Sequence, residues 1–372
     1  AHCILSNEAH IVRVNGKRIY QSLSLLRARL RGNDLAQKDA EDERPLRSEL
    51  FSADQMQRHG KILAGTHQLK PGRPRDRLLS RLAENEAVLI GARDLLTEAV
   101  KANRRIAPAG EWLLDNFYLI EEQIRTAKRH LPKGYSQELP RLLNGPLAGF
   151  PRVYDIALEI ISHGDGRADP ESLSSFVAAY QTVTILKIGE LWAIPIMLRL
   201  ALIENVRRVS ARIAADRIER NRADHWADQM TEVAEKDPKS LILSVADMAR
   251  SNPPMASPFV AELARRLQGQ GPALALPLNL IEQRLSESGL TIEQSVRAEN
   301  QQQAADQVSM SNCIGSLRFL TAMDWREFVE TMSVVEQTLG EDPGDVYGKM
   351  DFATRDRYRH VVEKIAKRIP RS

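Results

Sequence analysis

ILKIGELWAIPIMLRLALI, residues Ile185–Ile203, is the most apolar stretch of the chain, and its reading decides the fold. Its 19 residues would reach across a bilayer as a helix. Lys187, Glu190 and Arg199 interrupt it, however, and only Leu191–Leu198 is free of charge. That pattern predicts a helix buried in a protein core rather than in lipid. Pro195 falls inside the helical pattern, so the helix is expected to kink or restart near Trp192–Ile194.

Outward from this stretch, apolar residues recur at three- and four-residue spacing and almost never alternate. The chain therefore reads as all-α, a multi-helix array of long packed amphipathic helices without a substantial sheet. Leu78, Leu79, Leu82, Val88, Leu89, Leu95, Leu96 and Val100 mark one long helix, and Glu111–Arg129 a second, closed by Leu131-Pro132-Lys133-Gly134. Further helices are predicted at about 150–163, 170–183, 190–222, 224–236, 238–250, 256–268, 272–288, 290–310, 324–340 and 351–368. Asp169-Pro170, Asp237-Pro238 and Asp342-Pro343 each place a capping carboxylate before a proline, the mark of a helix start. Asp324-Trp325-Arg326-Glu327 has the spacing of a capping box.

At 372 residues and 41.8 kDa the chain is long enough for two or three packed units. The expected division is 1–75, an N-terminal arm and linker; 76–222, a helical domain with long central helices; and 223–372, a second helical unit. A hydrophobic share of 43% beside 27% charged residues excludes a mostly disordered, collagenous or membrane-embedded chain. Cys3 and Cys313 offer neither a disulfide framework nor a cysteine-rich zinc site, which fits a reducing compartment. Ala1–Tyr20 lacks the apolar core of a secretory signal, and the absence of an initial Met is expected of a fragment or a processed chain.

The basic residues comprise 39 Arg and 13 Lys, yet the net charge is only +3 and the 49 acidic residues are interspersed. No single-signed field is present to steer nucleic acid, and no nucleic-acid partner is expected. Arg207, Arg208, Arg212, Arg217, Arg220 and Arg222 would line a polyanion if unpaired, but Asp216, Glu219 and Asp224 break the run and favour a solvated helix. Metalloprotease, phosphate-loop, dinucleotide and nucleophile-elbow motifs are all missing. No catalytic, cofactor-binding or metal residue is therefore assigned. Asp155, Glu159 and His163 form a weak alternative as a hydrolase. Ser162-His163-Gly164-Asp165-Gly166 reads more simply as a helix end and turn. In the last helix Phe352, Tyr358, Val361, Val362 and Ile365 make an apolar side. Arg355, Arg357, Arg359, Lys364, Lys367 and Arg368 form a basic flank of the kind found beside the cytoplasmic end of a membrane span.

Several strings resemble the region upstream of the glycosyltransferase in bacterial cyclic β-1,2-glucan synthases. They are EWLLDNFYLIEEQI (Glu111–Ile124), GFPRVY (Gly149–Tyr154) leading into Ile160-Ile161-Ser162-His163, and IGELWAIP (Ile188–Pro195) continuing as MLRLALIEN (Met197–Asn205). GSLRFL (Gly315–Leu320), MDWREF (Met323–Phe328) and YGKMDFATRDRYR (Tyr347–Arg359) complete the set. The resemblance covers roughly residues 75–368. It implies a large inner-membrane enzyme that builds a β-1,2-glucan from UDP-glucose with a divalent metal, holds the growing chain on the protein and closes it into a ring. The acidic and Q-x-x-R-W elements of a processive transferase are not in this chain, so no catalytic residue carries over and no cofactor is expected here. What the resemblance implies is a non-catalytic scaffold on the cytoplasmic face, leading into the first membrane span. Its partners would be the downstream glycosyltransferase and carbohydrate-active domains of the same polypeptide. Trp192, Arg199, Glu204 and Asn205 are then expected to organise the central helices. Asp324, Trp325, Arg355, Arg357 and Tyr358 would shape a docking face, with Tyr358 and Tyr347 the tyrosines to test as acceptors of nascent glucan. The alternative is a stand-alone helical binding or regulatory protein.

Overall fold

The computed structural model describes residues 44–70, 77–131, 135–366 and 368–369, and everything below concerns the unit that begins at Leu46. The acidic run Lys38–Glu43, the stretch 71–75 and the predicted stop at 132–134 lie outside the described residues.

Among the described residues the elements run α1 Ala53–Thr66, β1 Leu69–Lys70, α2 Leu78–Lys101, α3 Pro108–Asp115, α4 Phe117–His130, β2 Arg141–Leu142, α5 Arg152–His163, α6 Pro170–Gln181 and α7 Ile188–Lys236. They continue as α8 Leu241–Ser251, α9 Ser257–Leu267, α10 Ala275–Glu287, α11 Ile292–Ala322, α12 Trp325–Met332, α13 Val334–Gly340 and α14 Phe352–Ala366. The all-α expectation holds. The strands are two residues each, paired antiparallel with Leu69 opposite Leu142.

Two rods organise the unit. α7 has 49 residues, so it is about 70 Å long at ~1.5 Å per residue. Its first half is buried on nearly every side from Leu191 to Ser210, as the apolar sequence requires of a helix wrapped by others. α2, α5, α9 and α11 pack along it. The first core gathers α1 to α6, the start of α7, the end of α11 and α12. The second gathers Ala223, Ala227 and Met230 of α7 with α8, α9, α10 and Ile292 at the start of α11. α7 and α11 thus pass through both cores, in opposite order along the chain.

The local chemistry explains the boundaries. Asp169 caps α6 by accepting from Ser172 N, and Asp237 accepts from Lys239 N at the start of a short 3₁₀ turn. Asp342 does not begin an α-helix; its carboxylate instead accepts from the N–H groups of Gly344, Val346 and Tyr347 and closes a turn. α7 runs unbroken through 222–224, where two helices were expected. That segment holds neither proline nor glycine, and Arg217 spans it by donating to Asn221 and Asp224. It also continues through Pro195 without a restart; Leu191, Ile194 and Leu198 are all buried, so packing carries the helix across the one missing donor. Conversely, 111–129 breaks at Asn116, and 324–340 breaks at Ser333, whose hydroxyl accepts from Glu336 N. α11 extends past 310 to Ala322, because Met310, Cys313, Ile314 and Leu317 keep an apolar stripe facing the first core. No helix among the described residues is long and apolar enough to cross a membrane.

Candidate functional site

The residues singled out in the sequence fall into two groups. Arg199, Glu204 and Asn205 lie on α7 inside the first core. Arg199 is buried and donates from Nε to Gln123 Oε1 at 2.7 Å, and burial lowers its pKa. Glu204 is 1% exposed and is a hub: Oε1 accepts from Arg81 and Arg207 at 2.7 Å and from Arg208 at 2.9 Å, while Oε2 accepts from Asn85 Nδ2 at 2.7 Å and Arg81 Nε at 3.0 Å. Burial alone would push this carboxyl up, but Arg207, Arg81 and Arg208 overcome it and hold the group well below the usual carboxylate range. Through Arg81 and Asn85 this carboxylate ties α2 to α7. Asn205 accepts from Leu46 N at 2.8 Å and donates to Cys313 Sγ at 3.4 Å, tying three distant segments. Beside it, Arg47 donates to Ser309 and Asp306, and Arg212 shares Asp306.

The arginine run on α7 is paired throughout. Arg207 and Arg208 meet Glu204, Arg212 meets Asp306, Arg217 meets Asp224, Arg220 meets Glu299 and Arg222 meets Glu219. With its charges met by carboxylates, this helix is poorly suited to track phosphates.

The second group surrounds α14. Asp324 caps α12, accepting from Arg326 N at 2.9 Å and Glu327 N at 3.2 Å, and Trp325 Nε1 donates to Leu320 O at 2.9 Å. Trp192, on α7, meets the Phe352 ring edge-on at 6.3 Å and so links α7 to this group. Arg355 bonds Glu330 at 2.9 Å and Glu336 at 3.2 Å. Arg359, read from the sequence as part of the basic flank, is instead a buried anchor, paired with Glu336 at 2.5 Å, Asp356 at 3.1 Å and Glu330 at 3.2 Å. Its four-residue spacing from Arg355, on the opposite side from Arg357, was the available signal. Tyr347 is 4% exposed and donates to Glu336 at 2.6 Å, and burial with that carboxylate raises its pKa. Of the two tyrosines named as acceptors only Tyr358, 48% exposed, is open to solvent. Arg357 is exposed too. Tyr358, Val361 and Ile365 form an apolar stripe on α14 at three- and four-residue spacing, each about half exposed.

A third cluster joins α1 to α5. Asp155, Glu159 and His163 recur every four residues on one face of α5. His67 bridges Asp155 Oδ2 at 2.9 Å and the Tyr180 hydroxyl at 2.8 Å. His59 Nε2 lies 2.7 Å from Glu159 Oε2, and His163 Nε2 lies 3.3 Å from the same oxygen. The ligand atoms of His59, Glu159 and His163 all fall within 4.8 Å of one another. Sequence reading named Glu159 and His163 but not His59, which is 100 positions from Glu159 and carries no local motif.

No family model matches the chain. It is 33% identical over 327 residues to the cyclic beta-(1,2)-glucan synthase NdvB of Rhizobium meliloti (strain 1021). That match covers 87% of the chain and 11% of the relative, so the chain spans only about a ninth of that protein's length.

Proposed function

Because the chain is a homologue of a segment of a cyclic β-(1,2)-glucan synthase, we propose that it is a non-catalytic helical scaffold on which the glycosyltransferase part of the same polypeptide docks. The observation that carries this reading is the α14 stripe of Tyr358, Val361 and Ile365. α14 is riveted to α12 and α13 on its inner side by Arg355 and Arg359, while its outer side presents apolar residues to solvent. A row of apolar residues left open on one face of a helix supports a docking surface there. The occupant proposed is the glycosyltransferase part, since nine-tenths of the relative's length lies outside the matched segment. UDP-glucose and its divalent metal would bind in that part. Arg357, Lys364 and Arg368 flank the stripe with positive charge and would suit the cytoplasmic face of the inner membrane close by.

The test uses the parent synthase with Val361→Asp and Ile365→Asp together. Formation of cyclic glucan from UDP-glucose should fall about tenfold or more at equal protein level. The isolated chain with the same two changes should keep its helical content and its Tm within about 2 °C, since surface changes of this kind cost little in the free fold. Undiminished synthesis would refute docking through this stripe.

A further inference from the structure

His163 Nδ1 lies 2.7 Å from the carbonyl oxygen of Glu49, which can only accept, so Nδ1 carries the proton. In the neutral ring this leaves a lone pair on Nε2, and Nε2 faces Glu159 Oε2 at 3.3 Å. Two electron-rich atoms directed at each other repel unless a cation sits between them. His59 Nε2 points at the same carboxylate oxygen from α1. The three donors converge on one point from two helices.

The surroundings hold that geometry. Phe51 stacks on the His163 ring at 3.8 Å, nearly parallel, and meets His59 edge-on at 5.4 Å. Phe51 N donates to His163 O, and Ser48 N to Ser162 O, so the strand-like segment before α1 lies along the end of α5. The side chains are 10% exposed for His163, 22% for His59 and 30% for Glu159, so the point of convergence opens to solvent on the Glu159 side.

We propose that His59 Nε2, His163 Nε2 and the Glu159 carboxylate bind a divalent cation of the zinc class, with water completing its coordination, as a clamp between α1 and α5. Two imidazoles and one carboxylate suit a borderline cation such as zinc rather than calcium or magnesium, which prefer oxygen throughout. Bonds of ~2.0–2.2 Å at the tetrahedral angle place donor atoms about 3.3 Å apart. The His163 to Glu159 separation already has this value, the 2.7 Å between His59 and Glu159 must open by about half an ångström, and all three donor atoms lie within 4.8 Å of one another. The Glu49 carbonyl on Nδ1 fixes the His163 tautomer and the direction of its lone pair, as the outer partners of metal-bound histidines do.

The test is a titration of the metal-stripped, tag-free chain with Zn²⁺ by calorimetry and with Co²⁺ by visible absorption, which reports four-coordinate geometry. One equivalent should bind with a Kd of about 1 µM or tighter, and saturating Zn²⁺ should raise Tm by several degrees. His59→Gln and Glu159→Gln should each weaken binding about 100-fold and abolish the Tm rise; Glu159→Gln keeps an acceptor for His59 and guards against a variant that fails to fold. Failure of the wild-type chain to saturate by about 1 mM Zn²⁺ would overturn the proposal. So would equal binding in both variants, which would locate the ion at other histidines. Stabilisation by mild acid without metal binding would show that a proton bridges the cluster instead, and would overturn it too.

Discussion

Glu204→Gln removes one charge and almost no volume from a carboxylate that serves three guanidinium groups. Arg207 and Arg208 have side chains 8% and 11% exposed, so losing this carboxylate's charge takes a close counter-charge from two cations largely out of water, whereas Arg81 at 30% can turn towards solvent. Removing one partner from a buried ion pair costs about 3–5 kcal/mol, and the partial escape of Arg81 places the expectation near 3 kcal/mol. That is a large share of a typical total of about 5–15 kcal/mol. Urea unfolding followed by tryptophan fluorescence measures it, since Trp112, Trp192 and Trp325 pack against the first core. Glu293→Gln, at a side chain 83% exposed, is the control and should stay within about 0.5 kcal/mol. The pH dependence follows from the depressed folded pKa. An ordinary glutamate titrates near 4.5, so the contribution of Glu204 is full above about pH 5 and is lost as pH falls below it. Wild type and variant should therefore converge as the solution is acidified. A difference under about 0.5 kcal/mol at pH 7, or one that widens in acid, would refute the hub.

Gly166 adopts φ +80°, and an added Cβ would meet Cys313 Sγ at 2.5 Å, so Gly166→Ala should cost about 2 kcal/mol or more in the same unfolding assay. Asp216 has its carboxyl pushed up to about 7 by burial and by the charges of Glu299 and Asp306, against 3.8 for an ordinary aspartate. Its ionisation thus penalises the fold increasingly from pH 3.8 to 7, and Asp216→Asn should raise stability by about 1–2 kcal/mol at pH 8, discounted for partial exposure, and by little at pH 3.5. The Cys313 thiol is fully buried and pushed up to about 12 by that burial, so in a Cys3→Ser background alkylation at pH 8 should proceed only at the rate of unfolding. Labelling within minutes in native buffer would contradict this packing.

The helices were legible because burial imposes a three-to-four residue period, and the charges at Lys187, Glu190 and Arg199 rightly excluded a membrane span. Glu190 shows why such charges are tolerable in a core: it is fully buried, but Arg152 grips both its oxygens at 2.6 Å from α5. No break occurs between 222 and 224, because a drop in apolar content does not end a helix that meets neither proline nor glycine. The cores also exchange partners along the chain: α11 starts in the second and finishes in the first, a topology that local pattern does not encode. The same limit hid His59 and the Glu330 and Glu336 partners of Arg359. Side chains that meet across 23, 29 or 100 positions leave no local spacing to read, whereas Asp169 and Asp324 act within three residues of themselves and were visible as caps.

What covers α14 decides the docking role most directly. A photo-crosslinking residue placed at position 358 in the parent synthase, followed by mass spectrometry of the crosslinked peptides, identifies the occupant. Crosslinks from position 358 to peptides of the glycosyltransferase part of the same polypeptide are the predicted result. A side chain that crosslinks only to water, to lipid or to an unrelated protein would contradict the docking role.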